Sequence, residues 1–243
     1  MSATEAHYRP AWWNLAARRT LRPVFRGLFR AAYRVRLTGL ENIPSRGPYV
    51  VVYNHVSIVD PPFILSFWPT HRIETVAAVE VFQRGKGQSL LTWLYGALPI
   101  YRGKPDRQQL ERLVTVLRSG WPLLLAPEGT RSHTPGMGPG WTGLAYVLDQ
   151  VGEVPVVPVG VVGSTDAALR AALRGKRPRL EMRVGRPFTL PPLSAWSGPR
   201  KRARRLNTDL MMYRLAALLP PEYRGVYAAE PPAELRPYLE EVA

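Results

Sequence analysis

The sequence predicts an α/β protein: a mixed, largely buried sheet flanked by helices, with an amphipathic two-helix segment at the amino end. Three observations lead there. Short apolar runs of strand length recur from residue 35 onward. Segments with helical periodicity separate them. Gly39, Pro44, Gly47-Pro48, Gly85, Gly103 and Gly120 punctuate the connections.

The first element is amphipathic. Trp12, Trp13, Leu21, Val24, Phe25, Leu28, Phe29 and Tyr33 recur at near-helical spacing, and Arg18, Arg22, Arg26 and Arg30 follow at four-residue steps. Pro23 lacks the N–H a helix interior needs, so the pattern predicts two short helical pieces within residues 1–34. An Arg-rich, Trp-bearing helix lies in the headgroup plane of an anionic membrane surface. The same pattern also suits a helix docked on the core with a solvated arginine face. No run reaches the roughly 18 apolar residues of a spanning helix, and no secretory signal is visible.

The candidate strands are Val35–Thr38, Tyr49–Asn54, Thr75–Val79, Leu98–Tyr101, Leu123–Ala126, Val156–Val161 and Leu180–Val184. Helices are expected near 61–68, 88–96, 106–119, 141–151 and 165–173, with a final one near 201–219. No internal repeat is visible.

At 243 residues the chain suits one domain with a sizeable core, and its 46% hydrophobic content sets it apart from disordered chains. Cysteine is absent, which removes disulfides, thiol nucleophiles and zinc-thiolate sites together. The net charge of +15 points to nucleic acid, an anionic membrane surface or an anionic substrate. Of the 33 basic residues only Lys86, Lys104, Lys176 and Lys201 are lysines. The four histidines (His7, His55, His71, His133) form no familiar ligand spacing, so no metal site is expected. The basic clusters carry no nucleic-acid motif, so no nucleic-acid partner is expected.

The stretch Tyr49 to Pro62 joins a buried strand to a proline-started helix. His55 and Asp60 lie five steps apart, about 16 Å on a straight strand. They meet only if the chain bends between them. An imidazole held by a carboxylate is a general base near neutral pH; Asp60 also suits a helix N-cap. In Trp121 to Ser132 a short strand enters a turn carrying Glu128, Gly129, Thr130 and Arg131. Gly129 allows close approach of the backbone to a ligand, and Arg131 offers a fork to phosphate. Read alone, this turn is better explained as a strand-exit loop. A third piece, Gly96 to Arg102, ends a strand on an arginine, and a fourth, Val154 to Gly160, is an apolar strand with two prolines.

In this order the four pieces resemble the motif blocks of the glycerolipid acyltransferase superfamily, specifically the 1-acyl-sn-glycerol-3-phosphate (lysophosphatidate) acyltransferases. Thr38-Gly39-Leu40-Glu41-Asn42-Ile43-Pro44 resembles the approach to the first block, and Asn54-His55 through Asp60 the block itself. Leu218 to Tyr227 is similar to the tail of bacterial members. The resemblance covers about residues 35–230, leaving 231–243 as a C-terminal tail. In chain order Gly96 to Arg102 resembles the second block, Pro127-Glu128-Gly129-Thr130-Arg131 the third and Val154 to Val159 the fourth, and the specific parts are the first and third. Two departures stand out: Ala126 occupies a usual Phe position, and Trp141-Thr142 replaces a frequent Phe-Lys pair before Gly143.

The resemblance implies acyl transfer from acyl-CoA or acyl carrier protein, as co-substrate and without a further cofactor, to the free hydroxyl of lysophosphatidate. It implies His55 as general base with Asp60 orienting it, and no covalent intermediate. Arg102 and Arg131 are implied to hold phosphate, and Glu128, Gly129 and Thr130 to bind the acceptor. Ser57 suits loop hydrogen bonding better than nucleophilic attack. A different acceptor, such as glycerol 3-phosphate or another lysophospholipid, is the alternative within the superfamily. The expected location is the cytoplasmic face of the cell membrane, held peripherally.

Overall fold

The computed structural model describes residues 7–83, 86–101 and 106–240. Its first half runs α1 (Trp12–Ala32), β1 (Arg34–Thr38), β2 (Val50–Tyr53), α2 (Asp60–Phe67), β3 (Glu74–Ala78), α3 (Val79–Gln83), α4 (Lys86–Tyr95) and β4 (Leu98–Ile100). The second half runs α5 (Arg107–Arg118), β5 (Leu123–Leu125), α6 (Gly143–Val151), β6 (Val156–Val162), α7 (Asp166–Leu173), β7 (Arg179–Val184), α8 (Arg200–Ala216) and α9 (Arg236–Glu240).

The strands form one sheet in the order β1-β7-β6-β2-β5-β3-β4. Every pairing is parallel except β6 with β7. The carboxyl ends of β2 to β6 therefore share one end of the sheet with the amino ends of β1 and β7. In open α/β sheets ligands bind outside the carboxyl ends of the strands, so this end is where chemistry is sought.

β2 explains why the centre is continuous apolar sequence. All four of its residues are buried. Val51 and Tyr53 enter one core with Phe63, Ile64, Trp68 and Phe29. Val50 and Val52 enter the other with Leu113, Leu117, Leu144, Leu148 and Met211. The two-residue alternation of a strand sends neighbours to opposite faces, so α1 and α2 cover one face while α5, α6 and α8 cover the other. The carboxyl end folds in as well, with Leu235 buried against Trp196, Leu206 and Leu210.

α1 differs from the expectation in two ways. It is one helix of 21 residues with Pro23 inside it, not two pieces. The proline removes one ladder bond, and tertiary bonds hold the helix across the gap. Arg22 donates to the carbonyls of Leu65 and Trp68, and Arg26 donates to Ser66 O. These carbonyls end α2, where guanidinium groups satisfy orphan acceptors and match the negative end of the helix dipole. Arg18, Arg22 and Arg26 thus face inward, whereas Arg30 at the end of the row stays exposed. Arg18 goes furthest: it is fully buried and forks onto Glu74 at 2.6 and 2.7 Å, and its Nε donates to Tyr95 O at 2.7 Å. Meanwhile Val24 and Leu28 stand at the surface, 57% and 58% exposed.

Candidate active site

The bend that His55 and Asp60 require is made by Asn54. This side chain is buried, and its amide continues the β2–β6 ladder in place of main chain: Nδ2 donates to Val161 O (2.9 Å), and Val161 N donates to Oδ1 (2.7 Å). With the ladder closed by a side chain, the backbone is free to leave the sheet at His55.

Asp60 then sits at the first position of α2, fully buried. One carboxylate oxygen, Oδ2, collects three donors: the His55 Nδ1–H at 2.9 Å and the backbone N–H groups of Val56 and Ser57, each at 2.8 Å. The carboxylate is turned back onto the loop and makes no cap bond to its own helix, so the expected N-cap role is not the one it plays. Pro61 does occupy the first turn. The Ser57 hydroxyl accepts from Val59 N at 3.0 Å, a loop bond as expected. With Asp60 on Nδ1, the proton is held there and the lone pair is left on Nε2, the acceptor nitrogen. Tyr53 abuts the imidazole edge-on, 5.5 Å between ring centres.

The loop after β5 clamps His55 by its backbone. Glu128 Oε1 accepts the His55 N–H at 3.0 Å, and Ser132 N donates to His55 O at 2.9 Å. Glu128 Oε2 accepts from Gly138 N at 2.8 Å. Burial pushes the Glu128 carboxyl above the ordinary range, and the two backbone donors pull it part of the way back. Both oxygens of Glu128 are thus engaged by main chain, and the residue stands behind His55, off the cavity wall. Gly129 has φ of +67° and donates to Ala126 O at 3.1 Å. A Cβ there would lie 3.0 Å from the Trp141 ring, so the indole that departs from the family pattern packs directly on this turn.

His55 opens onto a cavity of about 930 Å³, at the large end for small-molecule sites. Its wall is mostly apolar, with Phe25 and Phe29 of α1, Leu65 of α2, Leu91 of α4 and Leu113 of α5. Arg131 and Gly129 line it, Thr130 does not, and Arg102 lies outside the described residues. Its neighbour Tyr101 lines the wall and is fixed through its N–H on Gln109 Oε1 at 2.9 Å. Arg204 of α8 adds a cation near Thr142 and Gly143; it pairs with Asp149 and lies 4.9 Å from the Tyr146 ring centre. Sequence reading missed Arg204, Ser132 and Gly138, since each acts from an element distant in the chain. Asn54 was visible only as a neighbour of His55. Among the described residues no three His, Asp or Glu side chains cluster as a metal site.

Known proteins match this chain in sequence and in fold. A family model described as "Acyltransferase" matches residues 34–162. The chain is 31% identical over 163 residues to a sheep (Ovis aries) protein named 1-acyl-sn-glycerol-3-phosphate acyltransferase alpha, covering 66% of this chain and 54% of that protein. It is 30% identical over 138 residues to a chloroplast 1-acyl-sn-glycerol-3-phosphate acyltransferase of Brassica napus, covering 54% and 38%. The chain therefore spans about half or less of the length of these relatives. The crystal structure of the acyltransferase PlsC from Thermotoga maritima shares the fold, with a TM-score of 0.52 at 20% identity over 80% of this chain and 81% of that one. The family model spans the β2 and β5 exits that build the His55–Asp60 pair and its clamp, and covers more than half of the sequence: the chain belongs to the acyltransferase family.

Proposed function

We propose that this protein transfers an acyl group from a thioester, on coenzyme A or acyl carrier protein, to the free hydroxyl of lysophosphatidate, giving phosphatidate. The observation that carries the reading is the His55 Nδ1–H bond to buried Asp60, with His55 lining the same mostly apolar cavity as Arg131. Nε2 takes the hydroxyl proton as the oxygen attacks the thioester carbonyl. Asp60 stabilises the imidazolium, the division of labour seen in hydrolase triads. The tetrahedral intermediate collapses, expels the thiolate and returns the proton to sulfur, leaving an ester and a free thiol. No protein nucleophile takes part. Arg131, with Arg102, holds the acceptor phosphate, and Gly129 lets the backbone come close to it. Glu128 serves by fixing the His55 backbone.

The enzyme works at a membrane, held peripherally on the cytoplasmic face. Exposed Trp12, Val24 and Leu28 of α1 and Leu90, Leu91 and Trp93 of α4 support the membrane contact. Stacking of Trp13 on Trp93, 4.5 Å between ring centres, ties the two helices together. No helix among the described residues is long and apolar enough to cross a membrane.

The test is thiol release measured with lysophosphatidate, glycerol 3-phosphate and other lysolipids against donors of several chain lengths. Lysophosphatidate should give the highest kcat/KM. A clear preference for glycerol 3-phosphate or another lysolipid transfers the chemistry to that acceptor, and no release with any pair overturns the reading.

A further inference from the structure

The end of the sheet that carries His55 has a second concavity, which acyl transfer does not use. It encloses about 400 Å³, and its polar lining consists of Arg30, Arg34, Arg177 and Tyr33 against an apolar floor from β1 and α2. Among the described residues no acidic side chain lines it. Three guanidinium groups around one hollow repel each other unless an anion lies between them.

Two details suggest that the hollow is built. Tyr33 is only 3% exposed, yet its hydroxyl has no hydrogen-bond partner among the described residues. Arg177 holds φ of +44°, a conformation unfavourable for a residue with a Cβ. Its guanidinium is anchored on the main-chain carbonyl of Arg30 at 2.8 Å, which holds this cation against the end of α1.

The position gives the ligand class. β1 and β7 run opposite to β2, so their amino ends, which carry Arg34 and the turn at Arg177, lie on the His55 side of the sheet. Three strand spacings, about 14 Å, separate β2 from β1. Tyr33 lines both this hollow and the large cavity. Beside it, Leu28 and Leu173 of the cavity wall stand 58% and 80% exposed. A bilayer resting on these leucines brings its headgroups level with the three arginines.

We propose that this pocket is a second phosphate site, which holds the headgroup of an anionic bilayer phospholipid beside the cavity mouth. Arg30, Arg34 and Arg177 supply the charge and the Tyr33 hydroxyl a neutral donor. The proposal rests on the membrane-facing part of the reading above and is independent of the acyl-transfer chemistry.

The test is co-sedimentation of the full chain with phosphatidylcholine vesicles, with and without phosphatidylglycerol, alongside acyl transfer to detergent-dispersed substrate. The Arg30→Gln/Arg34→Gln/Arg177→Gln variant should lose roughly a hundredfold in affinity for the anionic vesicles, at about fivefold per arginine. Its binding to neutral vesicles and its turnover in detergent should stay at wild-type values. A control removing Arg46, Lys201 and Arg186, three exposed charges away from the pocket, should lose far less. Arg34→Gln alone, expected to lose about fivefold, covers the case in which the triple variant unfolds. Tyr33→Phe should weaken anionic binding while remaining folded. An equal loss in the control, or wild-type affinity in the pocket variants, overturns the proposal. A raised KM for acyl-CoA with vesicle binding intact also overturns it, and gives the pocket to the donor's phosphates.

Discussion

Glu128→Gln separates a carboxylate that positions the base from one that touches substrate. The two Glu128 oxygens accept backbone N–H groups of His55 and Gly138 at 3.0 and 2.8 Å. Glutamine keeps one acceptor and turns the other into an NH₂ that faces a donor. One buried N–H therefore loses its partner, at a cost of about 1–3 kcal/mol. Relief of the charge burial offsets part of this. When the loss falls on His55, a displacement on the order of 1 Å costs roughly a hundredfold in rate. The expected result is a kcat lowered roughly tenfold to a hundredfold with an acceptor KM close to wild type, and a lower urea midpoint. The pH dependence has a definite sign. Burial raises the folded-state pKa of Glu128, so its stabilising contribution is whole below the unfolded value and is lost as pH rises through the folded one. Glutamine does not titrate, so the stability deficit of the variant should be largest in acid and narrow toward neutral pH. Steady-state kinetics and urea titrations at several pH values measure both effects. A raised acceptor KM with unchanged kcat would refute the positioning role and return Glu128 to the acceptor site.

Asp60→Asn should lower kcat by up to about 10⁴-fold, because the amide no longer enforces the Nδ1–H tautomer; near-wild-type turnover would separate Asp60 from the base. Arg18→Met leaves Glu74 buried without its ion-pair partner and should cost about 3–5 kcal/mol in urea unfolding, with a large part recovered in Arg18→Met/Glu74→Met. Equal stability of wild type and single variant would show that the pair holds nothing. Val24→Ser/Leu28→Ser should weaken vesicle partition by roughly tenfold per side chain with little change in Tm; unchanged partition would remove α1 from the bilayer. Deleting residues 1–34 is no substitute, since it takes Arg18 and Phe29 out of the interior.

The strands were legible because a strand buried on both faces must be written as a short apolar run, and β2, β5 and β6 are, with β-branched valines in β2 and β6. The five residues of α3 were not, being too few to show a period; Val79, read as the end of a strand, begins that helix. Pro23 misled because local propensity counts the lost ladder bond and sees none of the arginine bonds to α2. The same distance hid the facing of the arginine row. A guanidinium that caps a carbonyl 40 or more residues away has the same periodicity as one in water. In the site, the spacing of His55 and Asp60 with a proline-started helix implied the bend, and the pair does meet. The remaining donors on the Asp60 and Glu128 oxygens were illegible, because they are main-chain N–H groups, which every residue except proline carries.

The central claim is that the imidazole of His55 itself deprotonates the attacking alcohol, and His55→Ala measured by thiol release with lysophosphatidate tests it most directly. The account predicts a rate lowered by about 10²–10⁴-fold or more, with the circular dichroism spectrum and Tm of the wild type. Turnover near the wild-type rate in that folded variant would contradict it.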